Sequence, residues 1–162
     1  CAAISAVVTS GMPSSRFVFE GFLPRKKIDR EKVLFEISKS EKTTIVYESP
    51  HRLNKLLKDL FFYCGGDREI VICRELTKKF EEHVGNNIEN VIRYFKDKEV
   101  IGEITLVIKG INKDENHEIH KYDLKRDLNE LKKAGINLSI ASKYLAKKYG
   151  IKKSIIYNLN VD

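Results

Sequence analysis

The sequence predicts an α/β fold followed by a small all-helical appendage, and three observations carry that prediction. Over residues 1–110, helix-spaced apolar positions alternate with short apolar runs, the pattern of helices covering a sheet. Residues 111–120 are polar and aperiodic, and are expected to be a linker. Beyond them only helical spacing recurs, and from Leu131 to Val161 there are seven lysines and no acidic residue. The expected organisation is therefore an α/β domain at 1–110, with a mixed sheet, and a basic helical unit at 121–162. Strand order is not readable from these patterns. At 162 residues the chain is long enough to bury a core of ordinary size.

Ala2 to Ser10 is small and apolar, closed by Gly11 and Pro13, and predicts a short buried helix. Phe17-Val18-Phe19-Glu20-Gly21-Phe22 is aromatic and β-branched and predicts a strand. A basic loop follows from Pro24 to Arg30. Val33, Leu34 and Ile37 then predict a helix over Asp29–Ser40. Thr43 to Tyr47 is a nearly continuous apolar run, as in a strand covered on both faces. Ser49 before Pro50 reads as a helix cap and first turn, and that helix runs through Leu53, Leu56, Leu57, Leu60 and Phe61 to Gly65-Gly66. Glu69–Cys73 predicts another buried strand, Ile88–Lys98 a helix, and Glu103–Lys109 a closing strand.

In the appendage, Leu124, Leu128 and Leu131 share one helical face and Gly135 stops it. Leu138–Tyr149 follows, with Ser139 as its expected cap and Gly150 as its stop. Ile151–Leu159 is a last short helix. A helix, a glycine-containing turn and a short helix with lysines around the turn have a helix-turn-helix outline.

The net charge of +7 suits a polyanionic partner, with nucleic acid the first candidate. A solvated lysine face is the competing interpretation. No apolar run is long enough for a membrane span. The three cysteines are unevenly spaced and form neither a disulfide framework nor a zinc motif, which fits a reducing, cytoplasmic setting. His83, His117 and His120 are lone histidines without ligand partners at metal spacing, so no metal site is expected. The chain starts at Cys1 without a signal-peptide pattern, which suggests a processed chain or part of a longer one.

Polar residues cluster where open α/β sheets place ligands, beyond the ends of strands. The first cluster is Tyr47-Glu48-Ser49-Pro50-His51-Arg52. The second is Arg74-Glu75-Leu76-Thr77-Lys78, trailed by Glu81-Glu82, and the third is Gly102-Glu103. Each has a plain structural reading: a helix cap, ion pairs of Glu48 with Arg52 and of Arg74 with Glu75, a turn at Gly102. Three clusters at corresponding positions favour a site.

Together with Ser10-Gly11-Met12-Pro13 and Phe17 to Lys26, these clusters resemble the C-terminal half of the bacterial small-subunit rRNA (cytidine-2′-O)-methyltransferases. That family lies within the class III, tetrapyrrole-methylase-like superfamily that uses S-adenosylmethionine. The resemblance is dense over residues 1–110 and looser in the basic tail. It implies S-adenosylmethionine as cofactor, a cytidine of 16S rRNA in the small ribosomal subunit as substrate, a cytoplasmic setting and a homodimer. The family's N-terminal half has no counterpart in this sequence. The chain is therefore expected to supply one wall of the cofactor cleft and to be inactive by itself.

The resemblance also implies site residues. Ala2, Ala3, Tyr47, Glu48, Thr77, Gly102, Glu103 and Ile104 are expected to contact the cofactor. Lys78, Glu48 and Arg74 are the candidate catalytic groups. Lys78 is expected to have a lowered pKa beside Arg74 and Lys79, as a proton acceptor requires, and Arg74 to hold a phosphate. His51 and Arg52 are candidate RNA contacts, although they could equally tie down their helix. Lys143, Lys147, Lys148, Lys152 and Lys153 are the candidate RNA contacts of the tail. A class III methylase acting on a tetrapyrrole, and a non-catalytic nucleic-acid-binding module, are the alternatives.

Overall fold

In the computed structural model, which describes residues 1–112, 121–149 and 152–159, the alternation of apolar runs and helical spacing becomes a five-stranded sheet with helices. The chain divides into two compact units, 1–116 and 117–162. In the first, the order is α1 (Ala2–Thr9), β1 (Phe17–Phe22), α2 (Lys27–Lys39), β2 (Thr43–Glu48), α3 (Pro50–Cys64), β3 (Glu69–Arg74), β4 (Glu82–Asn87), α4 (Ile88–Phe95) and β5 (Ile104–Ile108). Spatially the strands run β1-β2-β5-β3-β4. β1 and β2 are parallel and every other pair is antiparallel, so the sheet is mixed.

The most apolar segment takes the centre. β5 is buried at all five residues, between β2 and β3. On one face, α1 covers Ile45, Cys73 and Val107 with Ala3, Ala6 and Val7. Small side chains in α1 let its backbone lie close to the strands. On the opposite face Val46, Leu106 and Ile72 stand in register and are fully buried. The layer there is α2 on α3 on α4, whose inner sides carry Leu34, Leu53, Leu56, Leu57, Leu60 and Val91. Burying such side chains is worth about 1.5–3 kcal/mol each, which makes this layer the main source of stability.

Four local expectations need correction. β4 has no apolar alternation to reveal it. It is an edge strand, Glu-His-Val-Gly-Asn-Asn, held by its backbone ladder to β3. α2 begins at Lys27 rather than Asp29, because Arg30 N–H closes the first turn on the Lys26 carbonyl (3.0 Å), and the apolar residue of that turn, Ile28, is exposed and packs into no core. Ser49 occupies the N-cap of α3, but its side chain caps nothing; instead the Glu48 carboxylate accepts the Ser49 N–H (2.8 Å). Ser139 is not a cap either: the Asn137 side chain accepts the Ser139 N–H (2.7 Å).

The second unit contains α5 (Lys121–Lys133), α6 (Leu138–Tyr149) and α7 (Lys153–Asn158). Leu124, Leu128, Ala141, Leu145 and Ile156 form its core. Inside it, Asp127 accepts from Lys148 (2.7 Å), Arg126 (2.7 Å) and the Tyr149 hydroxyl. Burial works to raise the Asp127 pKa, but those three donors prevail and bring it down to about 2. Residues 113–120, with His117 and His120, and Gly150 with Ile151 lie outside the described residues. Among the described residues, no helix is long and apolar enough to cross a membrane.

Candidate active site

An open cleft of about 440 Å³ lies where the carboxyl end of β2 meets the start of β5. That volume is within the range of small-molecule sites. Antiparallel pairing creates the meeting point: Glu48 stands opposite Ile104 and Tyr47 opposite Thr105. Ala2, Tyr47, Glu48, Gly102, Glu103 and Ile104 all line the cleft. Six of the eight residues expected to contact a cofactor, drawn from three distant stretches, therefore share one cavity. Ala3 stands behind them, its N–H donating to the Tyr47 hydroxyl (3.2 Å), which ties the first turn of α1 to the cleft wall.

The loop after β3 closes against this wall through Glu75. Its N–H donates to the Glu103 carbonyl (2.9 Å), and its carboxylate accepts the Glu103 N–H (2.7 Å) and the Lys78 ammonium (3.1 Å). Lys78 also reaches the Glu103 carboxylate at 3.0 Å. Glu75 and Thr77 both have positive φ, 52° and 64°, a conformation that costs an L-residue energy and has to be held by its surroundings. Here the holders are the Glu103 contacts and the Glu81 carboxylate, which accepts the Thr77 N–H (2.6 Å). Gly102, at φ +97°, leaves room for the Glu75 carboxylate: an added Cβ would sit 2.4 Å from it. Glycine is required there by both backbone and space.

Sequence comparison decides the relationship. No protein-family model matches the chain. Among curated proteins, the ribosomal RNA small subunit methyltransferase I of Synechocystis is 35% identical over 161 residues, covering 99% of this chain and 58% of that protein. The proteins of the same name from Pasteurella multocida and Haemophilus influenzae are 37% and 38% identical, covering 100% and 99% of this chain and 58% and 57% of their own length. Over nearly its whole length the chain is homologous to part of the ribosomal RNA small subunit methyltransferase I proteins. It spans under three-fifths of the length of those three relatives. Among solved structures, the methyltransferase CobJ is similar over 66% of this chain and 46% of its own, with a TM-score of 0.49 and 16% identity.

The candidate catalytic groups have distinct settings. The Lys78 ammonium is held by Glu103 and Glu75, which raise its pKa above the ordinary lysine value. The expected lowering by Arg74 and Lys79 is therefore reversed, because carboxylates rather than cations are its nearest partners. Glu75 titrates below its ordinary value, through the Glu103 N–H and then Lys78. Arg74 turns away from Glu75 to pair with Glu82 on β4 (2.9 Å) and donates to the Ile101 carbonyl (3.1 Å). The strand that the sequence conceals thus supplies the partner of a residue it reveals.

Glu48 is buried with its side chain wholly covered. Arg52 lies 3.4 Å from one of its oxygens and Arg30, itself buried, 3.8 Å from the other. Arg30 is also paired with Asp59 on α3 (3.0 Å). Arg52 additionally donates to the Leu23 carbonyl (3.3 Å), so it ties its helix start to the β1 end, while His51 is exposed. Arg30 escaped sequence reasoning because it lies in a run of charged residues; only its position facing the apolar side of α2 could have marked it.

The tail lysines divide in the same way. Lys148 is committed to Asp127 and Lys153 donates to Ser139 (2.8 Å), while Lys143, Lys147 and Lys152 are exposed. Phe22, Ser49, Pro50 and Thr105 complete the cleft and were not among the residues expected to contact the cofactor.

Proposed function

We propose that this chain is the C-terminal part of an enzyme that methylates the 2′-hydroxyl of a cytidine in 16S rRNA, with S-adenosylmethionine as donor. The observation that carries the proposal is the convergence of Ala2, Tyr47, Glu48, Gly102, Glu103 and Ile104 on one cleft, in a chain 35–38% identical to proteins of that family name. The cleft fits such a donor chemically. Its lining is mainly apolar, from Ala2, Phe22, Tyr47, Pro50 and Ile104, with Glu48, Ser49, Glu103 and Thr105 at the strand ends. S-adenosylmethionine, when bound, supplies a methyl group on a sulfonium already activated for displacement, so the protein's work is positioning and proton removal.

In this reading Tyr47, Glu48 and Gly102–Ile104 hold the donor, with Ala2, Ala3 and Thr77 at its edge. Glu48 acts through its clasp on the strand-to-helix turn, since its carboxylate is enclosed by Arg30 and Arg52. Lys78 stands beside the cleft residue Glu103 and faces the reacting hydroxyl. It is a cation while Glu103 and Glu75 hold it, and accepts the hydroxyl proton only after it has left both carboxylates and lost a proton of its own to solvent. Arg74, fixed by Glu82 and Ile101, presents its remaining guanidinium edge to a phosphate. His51 and Arg52 border the incoming RNA, and the tail binds it through Lys143, Lys147 and Lys152, with Lys148 and Lys153 adding charge from their paired positions. The enzyme acts as a cytoplasmic homodimer.

The test is transfer of labelled methyl from S-adenosylmethionine to small-subunit rRNA by the protein at the full length of its relatives, followed by nuclease mapping of the modified nucleotide. A 2′-O-methylcytidine product supports the reading. Methylation on a base, or turnover of a tetrapyrrole instead of RNA, refutes it.

A further inference from the structure

We infer that Phe22 is a stacking surface for the unpaired acceptor base, aimed into the cleft by a β-bulge at Gly21. The inference rests on reading the cleft as a methyl-transfer site. Strict alternation along β1 would put Phe22 on the sheet face opposite Phe19. The register shows otherwise: Phe19 pairs with Ile45, Gly21 with Val46 and Phe22 with Tyr47, with the irregularity between Phe19 and Gly21. One residue is looped out, and Phe22 joins Phe19 on the face that carries Tyr47. Bulges re-aim side chains in this way beside active sites.

Gly21 makes the bulge possible with φ +63°, a backbone state glycine adopts at no steric cost. The nearest atom to an added Cβ is 3.9 Å away, so glycine is needed there for its backbone freedom and not for space. The re-aimed ring lies edge-on to Tyr47, with centroids 5.7 Å apart. Tyr47 is itself held in place by Phe19 (4.9 Å) and by the Ala3 N–H on its hydroxyl. An aromatic wall is thus built and braced, yet Phe22 remains 64% exposed while lining the cleft.

A phenylalanine this exposed contributes little to the core, and its position at the open rim suits a planar ring arriving from solvent. Of the residues assigned to the donor, Glu48 and Ile104 are buried and Tyr47 is half-buried, deeper than Phe22, while Ala2 and Glu103 are exposed. The rim therefore matches the acceptor's base rather than the donor's adenine. Stacking on an aromatic face is available to an unpaired base and worth a substantial factor in affinity.

The experiment titrates the protein at the full length of its relatives with a cytidine dinucleotide, and separately with S-adenosylhomocysteine, following the Tyr47 ring resonances by NMR. Phe22→Ala is expected to weaken dinucleotide binding by about fivefold or more and to leave S-adenosylhomocysteine binding unchanged. Phe22→Trp restores the dinucleotide affinity. Gly21→Ala, which keeps the ring but disfavours the bulge, weakens it as well. An effect confined to S-adenosylhomocysteine assigns the ring to the donor and overturns the proposal, as does an unchanged dinucleotide affinity in Phe22→Ala. Methyl transfer by the full-length protein, measured alongside, separates the two possible failures. Transfer with a Phe22-independent KM for RNA leaves the function standing and removes Phe22 from it. No transfer to RNA removes both.

Discussion

Lys78 illustrates how a residue's position and its chemistry are set by different information. Its place in the loop after β3 is visible in the sequence, in Arg74-Glu75-Leu76-Thr77-Lys78. Its charge state is set by Glu103, 25 residues away in the chain, which approaches only because β5 pairs with β3. In the full-length enzyme, Lys78→Ala is expected to cut single-turnover methyl transfer by at least about 100-fold, the lower end for an acid–base group. Lys78→Arg distinguishes the two roles the geometry allows. Arginine keeps the cation but does not release a proton near neutrality, so a rate close to that of the unsubstituted enzyme would make Lys78 an electrostatic anchor. A rate as low as that of Lys78→Ala would make it the proton acceptor. With the folded pKa raised, the rate should climb with pH across the neutral range if deprotonation is required.

At the scale of elements, two clasps decide how the cleft and the tail are held. In the first, Gly102 accommodates the Glu75 carboxylate that ties the loop after β3 to the start of β5. Gly102→Ala is expected to cost about 1–3 kcal/mol, from the positive φ and the displaced carboxylate together. Thermal unfolding should show the loss, and donor affinity should fall with it. In the second clasp, Asp127 collects Arg126, Lys148 and Tyr149 between α5 and α6. Its folded pKa of about 2 lies below the ordinary 3.8. Its contribution to stability is therefore complete above the unfolded value and disappears as pH falls from about 4 to about 2. Amide exchange in α5 and α6 should accelerate across that window, and Asp127→Asn should remove the dependence.

At the scale of the whole molecule, the chain spans 58% of the Synechocystis and Pasteurella relatives, and the cleft is open. The isolated chain is expected to bind S-adenosylmethionine weakly or not at all, since many contacts of a closed site are missing from one wall. Calorimetry giving low-micromolar affinity for the isolated chain would contradict this. The tail is expected to add salt-dependent RNA affinity through Lys143, Lys147 and Lys152. Replacing these three should reduce the slope of log affinity against log salt by about 0.7–0.9 for each phosphate released. An unchanged slope would leave them as solvated surface.

The sequence by itself determined the alternation of helices and strands, the buried character of β2 and β3, and the three polar clusters. These follow from periodicity and from turn residues, which act over a few positions. Only the tertiary structure decided the strand order, the edge strand β4, the closing of Arg30 on Glu48 opposite the Arg52 that the sequence offered, the exchange of Glu75 for Glu82 as partner of Arg74, and the turning of Phe22 into the cleft. Each of these depends on which strands lie side by side and in what register. That is a matter of long-range pairing, to which the identity of a charged or edge residue gives no local clue.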